Sequence, residues 1–169
     1  LGRFAARFKA ELDDGLRRKT GLMEPRDGDP ALIQELLDAM AEGGADFTLT
    51  FRRLAAAAAE PEADEAVRSL FADPIAYDLW AAKWRARLDA EPRHAGDRTK
   101  AMRAVNPAFI PRNHRVEAVI RAAVDEGDFA PFDRLRTVLA KPFDDQPEFA
   151  AYMDPPAPQE RVLRTFCGT

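Results

Sequence analysis

The sequence is poor in the groups that most often carry chemistry. It holds one cysteine, Cys167, and two histidines, His94 and His114. A lone thiol excludes a disulfide within the chain and any cysteine-rich metal cluster. No Cys-x-x-Cys or His-x-x-x-His pair is present to seed a structural zinc site. Asp27-Gly28-Asp29 lacks the further oxygen ligands of an EF-hand loop, and Asp144-Asp145, adjacent acids in a proline-rich stretch, read as solvated. Also missing are G-x-S-x-G, G-x-G-x-x-G and G-x-x-x-x-G-K-[ST], the patterns of an exposed nucleophile or a phosphate cradle. No run of about 18 apolar residues reads as a membrane-spanning helix. The opening LGRFAARFKAELDDGLRRK contains acids and no apolar core region, so it does not read as a secretion signal. By itself the chain does not read as an enzyme.

What is present suits a soluble globular protein. Of 169 residues, 46% are apolar and 32% charged, enough to build a core without disulfides. The net charge of -4, from 25 basic and 29 acidic side chains, gives no general attraction for nucleic acid or an anionic membrane. The partners expected therefore include neither. One thiol fits a reducing setting, and the location expected is cytoplasmic for a bacterial protein rather than mitochondrial.

Helical signals dominate, and the fold class expected is mainly α. Phe4, Phe8, Leu12 and Leu16 recur every four residues, with Gly21 as the stop after Arg17, Arg18 and Lys19. Asp29-Pro30 reads as an N-cap followed by proline at the first helical position, and Leu32, Ile33, Leu36, Leu37 and Met40 follow as a stripe. Asp46 or Thr48 caps a third helix that runs into an alanine tract before Pro61. The acids of EPEADEAV read as dipole compensation at the start of a short helix carrying Val67, Leu70 and Phe71. Asp73-Pro74 opens a helix lined by Tyr77, Trp80, Trp84 and Leu88. Those rings read as core rather than a base-stacking platform, with Lys83, Arg85 and Arg87 on the solvated faces. A polar helix precedes Asn106, Val116, Val119, Ile120 and Ala123 mark another that Gly127 stops, and Phe132, Leu135, Val138 and Leu139 mark the last. There is no repeat and no convincing strand pattern. The division expected is a helical portion over 1–143 and an extended Pro-rich tail over 144–169.

The segment around Arg112-Asn113-His114-Arg115 carries two readings. It places cations and amide donors at a helix N-terminus, where phosphate can sit. Alternatively Asn113 caps the helix after Pro111, and the arginines and histidine pair with neighbouring acids or carbonyls. Cys167, close to the end in TFCGT, is either a small buried apolar group on a docked tail or a redox-capable thiol.

The block NPAFIPRNHRVEAVIRAAVDEGDFAPFDRLRTVLAKPFDD resembles the C-terminal part of the SelO protein adenylyltransferases, the UPF0061 or YdiU-like family. Tyr152, Asp154-Pro155-Pro156 and the terminal FCGT extend the likeness, as do the upstream DFTLTFRRL and the Trp84 helix. It covers essentially the whole chain. The matching positions are Asn106, Pro107, Pro111, Arg112, Asn113, His114, Gly127 and Asp128, with Phe129 completing the GDF stop and Cys167 in the tail. The resemblance implies a protein-kinase-like (pseudokinase) fold that uses ATP and Mg2+ or Mn2+ to move AMP onto Ser, Thr or Tyr hydroxyls of proteins. The family's nucleotide-binding lysine, metal-binding acids and catalytic aspartate lie upstream of this region, so no catalytic, cofactor-binding or metal-binding residue carries over. The chain is then expected to be roughly the last third of such an enzyme and inactive alone. Its role would be a buttress for the upstream kinase-like part, with Cys167 implied in redox control through an upstream cysteine. The competing reading is a non-catalytic helical protein-interaction module. A weaker third reading is nucleic-acid binding through the basic cluster.

Overall fold

The arginines and lysine that end the first helix run into a glycine with a positive φ. In the computed structural model, which describes residues 2–91 and 95–162, α1 (Gly2–Lys19) stops because Gly21 adopts φ 75°. The Gly21 N–H donates to the Arg18 carbonyl and the Leu22 N–H to that of Arg17, both at 3.2 Å, which satisfies two carbonyls the helix leaves open. A Cβ at Gly21 would lie 2.5 Å from the Met102 sulfur, so glycine is required twice over.

Contacts divide the chain between Asn106 and Pro107. The first unit holds α1, α2 (Asp29–Gly43), α3 (Phe47–Ala57), a 3-10 turn Pro61–Ala63, α4 (Asp64–Arg68), α5 (Pro74–Asp89) and α6 (Ala95–Val105). Asp46 caps α3 by accepting from Leu49 N–H at 2.8 Å, and Asp73 caps α5 by accepting from Ile75 N–H at 2.9 Å. The aromatic stripe of α5 is core: Tyr77, Trp80, Trp84 and Leu88 are buried with Leu36, Met40, Phe51, Leu54, Val67, Phe71 and Met102. The two indoles stack at 5.2 Å and donate to the Leu32 and Thr20 carbonyls, both at 2.8 Å, so no face remains for a base.

Three expectations for this unit are corrected. Asp29 is the first residue of α2 rather than its N-cap, which is Gly28 without a capping side chain. The Asp29 carboxylate is buried, accepting from Arg26 N–H at 2.8 Å and from Arg87 at 2.7 and 3.1 Å. Arg85 and Arg87 are consequently not ordinary solvated cations. Asp64, expected as dipole compensation, accepts from the Tyr77 hydroxyl and from Arg85. Phe4, Phe8 and Leu12, on the helical period of α1, are exposed.

The second unit, Pro107–Thr169, holds α7 (Asn113–Asp125), α8 (Ala130–Leu139) and 3-10 turns at Pro147–Tyr152 and Pro158–Glu160. Gly127, at φ 65°, ends α7, and the Asp128 carboxylate accepts from Ala130 N–H at 2.9 Å to start α8. The Ala108 and Phe109 N–H groups donate to the Pro142 carbonyl at 2.8 and 3.1 Å. Ala108, Phe109 and Val138 form a buried cluster, against which Leu139, Phe149, Tyr152 and Met153 rest. Arg115 adds a donor to the Ala151 carbonyl at 2.6 Å and lies over the Tyr152 ring. From Asp144 the stretch rests on this cluster through Phe149, Tyr152 and Met153. There is no strand among the described residues.

Candidate functional site

Pro111 holds the chain extended ahead of α7, and Arg112 continues it at φ -64° and ψ 133°. That conformation makes Arg112 the N-cap, and it supplies no side-chain cap bond. Asn113 already has helical dihedrals as the first residue of α7 and is exposed, so the capping role expected for it is not observed. The leading N–H groups of a helix have no partner within the helix, and here no side chain at the cap takes them. Pro111 is exposed, Arg112 and His114 are buried.

Two hollows meet at His114. One, of about 420 Å³, is lined by Ile110, Pro111, Arg112, Asn113, His114, Pro156, Arg161 and Val162. The other, of about 470 Å³, is lined by His114, Ala118, Arg121, Ala122, Asp125, Glu126, Gln159 and Glu160. Among the described residues, the first carries two guanidinium groups and no carboxylate, and the second mixes both signs. His114 is 6% exposed, and among the described residues neither Nδ1 nor Nε2 has a hydrogen-bond partner. Burial lowers its pKa, helped by the nearby charges of Arg115 and Arg112, while Glu160 and Asp154 pull the other way. The ring is thus neutral near pH 7, with one nitrogen a donor and the other an acceptor.

The remaining positions are scattered. Asn106 is buried in the first unit, where its Nδ2 donates to the Lys19 carbonyl at 2.9 Å. Pro107 opens the second unit, and Gly127 and Asp128 form the α7–α8 turn. His94 and Cys167 lie outside the described residues. Among the described residues, no three of His, Cys, Asp and Glu converge as metal ligands would. Sequence reasoning placed Pro156 only within the family likeness and had no signal for Arg161 and Val162; all three join the start of α7 through the fold.

A densely bonded charge of the first unit is also one that no local pattern marked. Glu91 is 4% exposed and accepts from the Met23 and Glu24 N–H groups, each at 3.1 Å, from Arg87 at 2.9 Å and from Arg98 at 3.1 Å. Burial works against its charge, yet the Glu24 and Met23 N–H groups and then Arg98 and Arg87 win, holding its carboxyl below the usual value. This is a fastener between the α1–α2 loop and the end of α5. Nothing in it is placed to react.

A family model described as "Protein adenylyltransferase SelO" matches residues 1–140. The protein nucleotidyltransferase YdiU of Bradyrhizobium diazoefficiens is 62% identical over 169 residues, which is 100% of this chain and 34% of that protein. The protein of the same name from Methylorubrum populi is 60% identical over 172 residues, covering 98% of this chain and 34% of the relative. A third, from Rhodopseudomonas palustris, is 60% identical over 169 residues, with 100% and 34% covered. The chain thus spans about a third of the length of the curated relatives it matches.

Proposed function

The chain belongs to the SelO protein adenylyltransferase family, and from that membership we propose that it is the helical C-terminal part of a longer enzyme and braces the part that reacts. In the whole protein a Ser, Thr or Tyr hydroxyl oxygen bonds to the α-phosphorus of ATP. The bond from that phosphorus to the bridging oxygen breaks, pyrophosphate leaves, and the hydroxyl proton passes to a base. The proposed body is kinase-like, and Mg2+ or Mn2+ belongs to it. The described residues do not fit such an ion, since no set of ligands converges among them. No step is therefore assigned to this chain.

The observation that carries the bracing role is the uncovered face of α1. Phe4 is 74% exposed, Phe8 59% and Leu12 48%, and the two phenyl rings stack at 6.3 Å. Burying such a side chain is worth about 1.5–3 kcal/mol, so a row of them left in water calls for a cover. The upstream part of the same protein supplies it. No described helix is long and apolar enough to cross a membrane, and a cytoplasmic location is proposed on the strength of the bacterial relatives.

The test compares ATP labelled at the α-phosphate with ATP labelled at the γ-phosphate, using full-length protein and a protein acceptor. Label from the α position alone supports AMP transfer; label from the γ position alone overturns it. ATP consumption by the purified 169-residue chain would overturn the division of labour. The redox part of the reading rests on Cys167. Treated with oxidised glutathione, full-length protein should yield a Cys167 peptide linked to a cysteine upstream of Leu1, and recovery of that peptide only as free thiol ends the idea. The α1 stripe also suits docking of a separate protein. A full-length protein that transfers nothing but holds a partner through Phe4 and Phe8 would favour that interaction-module reading.

A further inference from the structure

We propose that the hollow at the start of α7 is a binding site for a phosphate-type oxyanion, built from the uncapped helix N-terminus, the buried His114 ring and Arg161. The helix end alone would not justify a site. The independent observation is His114: a side chain more than nine-tenths buried, lining the hollow, with both ring nitrogens unpartnered among the described residues. Burying an imidazole without a hydrogen bond is costly, and protein interiors rarely leave it so. An oxyanion in the hollow that accepts from the protonated ring nitrogen offsets part of that cost.

The charge of the lining selects the ligand's sign. Among the described residues, Arg112 and Arg161 border this hollow and no carboxylate does. Arg112 already has partners, so Arg161 is the cation on which the site relies. Arg161 is exposed, so its guanidinium can move onto a ligand. Leading N–H groups of α7, unopposed by a capping side chain, add donors and the positive end of the helix dipole. The acids whose charge acts on the His114 ring are Glu160 and Asp154, and Asp125 and Glu126 line the other hollow. Glu160 borders the other hollow and accepts from Ala157 N–H at 2.9 Å. Ile110, Pro111, Pro156 and Val162 form the apolar part of its wall.

A tetrahedral oxyanion suits this donor set because it can accept from the imidazole, the backbone amides and a forked guanidinium at once. The volume of about 420 Å³ exceeds what one phosphate fills, so either a free ion with its waters or the phosphate of an ester fits. The inference does not depend on AMP transfer.

The experiment is calorimetric titration of the full-length protein, in a buffer free of phosphate, with inorganic phosphate, pyrophosphate and AMP in separate runs. Saturable binding at one site is expected, weakened about tenfold by Arg161→Ala and by His114→Gln, the loss of one charge-assisted or buried hydrogen bond in each. Arg161 is exposed and its variant keeps the fold, so that arm stands even where His114→Gln disturbs folding; circular dichroism checks both. Phosphate or pyrophosphate binding more tightly than AMP identifies a free ion as the occupant, and AMP binding more tightly identifies an ester. No saturable binding of any of the three, or binding unchanged in Arg161→Ala and in folded His114→Gln, overturns the proposal.

Discussion

Lys19 and Asn106 bond to each other in both directions. The Lys19 ammonium donates to Asn106 Oδ1 at 3.2 Å, and Asn106 Nδ2 donates back to the Lys19 carbonyl at 2.9 Å. The ammonium also reaches the Val105 carbonyl at 2.9 Å, and Arg52 donates to the Asn106 carbonyl at 3.0 Å. One buried residue, through its side-chain amide and its backbone carbonyl, thus joins the end of α1 to α3 and the end of α6. Burial lowers the Lys19 pKa, which marks how much of its environment is dry.

Asn106→Ala removes both side-chain bonds and leaves the Lys19 carbonyl unsatisfied. A loss of about 2–3 kcal/mol is expected from urea unfolding, because a buried group without a partner bears its full desolvation penalty. Asn106→Asp should also destabilise, since it keeps the acceptor and discards the donor.

Stability should fall on acidification through Glu91. Its folded pKa lies below the unfolded value, so its contribution is fully present above the ordinary carboxylate pKa of 4.5 and is lost as pH drops through the folded pKa. The urea midpoint followed by tryptophan emission should decline below about pH 4.5. Glu91→Gln should flatten that decline and cost about 3 kcal/mol at pH 7, by breaking a buried pair from one side.

Gly21→Ala should cost about 1–2 kcal/mol in thermal or urea unfolding, from a left-handed backbone bearing a Cβ. The 2.5 Å approach to the Met102 sulfur adds to it. Gly28→Ala, with nothing near its Cβ and a negative φ, is the control and should change little.

Phe4→Ser combined with Phe8→Ser should leave the stability of the 169-residue chain within ~0.5 kcal/mol, as exposed sites usually do. It should also reduce any self-association seen by light scattering. In the full-length protein the same pair should lower stability by about 1.5–3 kcal/mol for each ring buried there. Equal behaviour of the two contexts would remove the case for a cover on α1.

Local signals were legible in the sequence and distant ones were not. Gly21, Asp46 and Asp73 act where their spacing placed them, because a helix end is decided within a few residues. The Tyr77, Trp80, Trp84 and Leu88 stripe is core for the same reason: its period is a property of one helix. Asp29 and Asn113 show the limit, since each is already the first helical residue and the cap falls one position earlier. Here Gly28 and Arg112 stand at those positions. Glu91 takes its N–H donors from 67 and 68 residues away, and Asp29 its arginine from 58. Phe4 and Phe8 carry a core-like period with nothing over it, which periodicity cannot distinguish from burial. The His114 hollow needed Pro156, Arg161 and Val162 brought round by the turns after α8, and no spacing along the chain announces that.

Both tryptophans sit in the first unit, stacked on each other with their ring N–H groups bound to backbone carbonyls. Intrinsic indole fluorescence is consequently blind to melting of residues 107–169 and reports α5 and its neighbours alone. Set beside far-ultraviolet dichroism, which sums over every helix, it turns one denaturation series into a measure of cooperativity: superimposed curves mean the halves melt as one, and separated curves give each its own free energy.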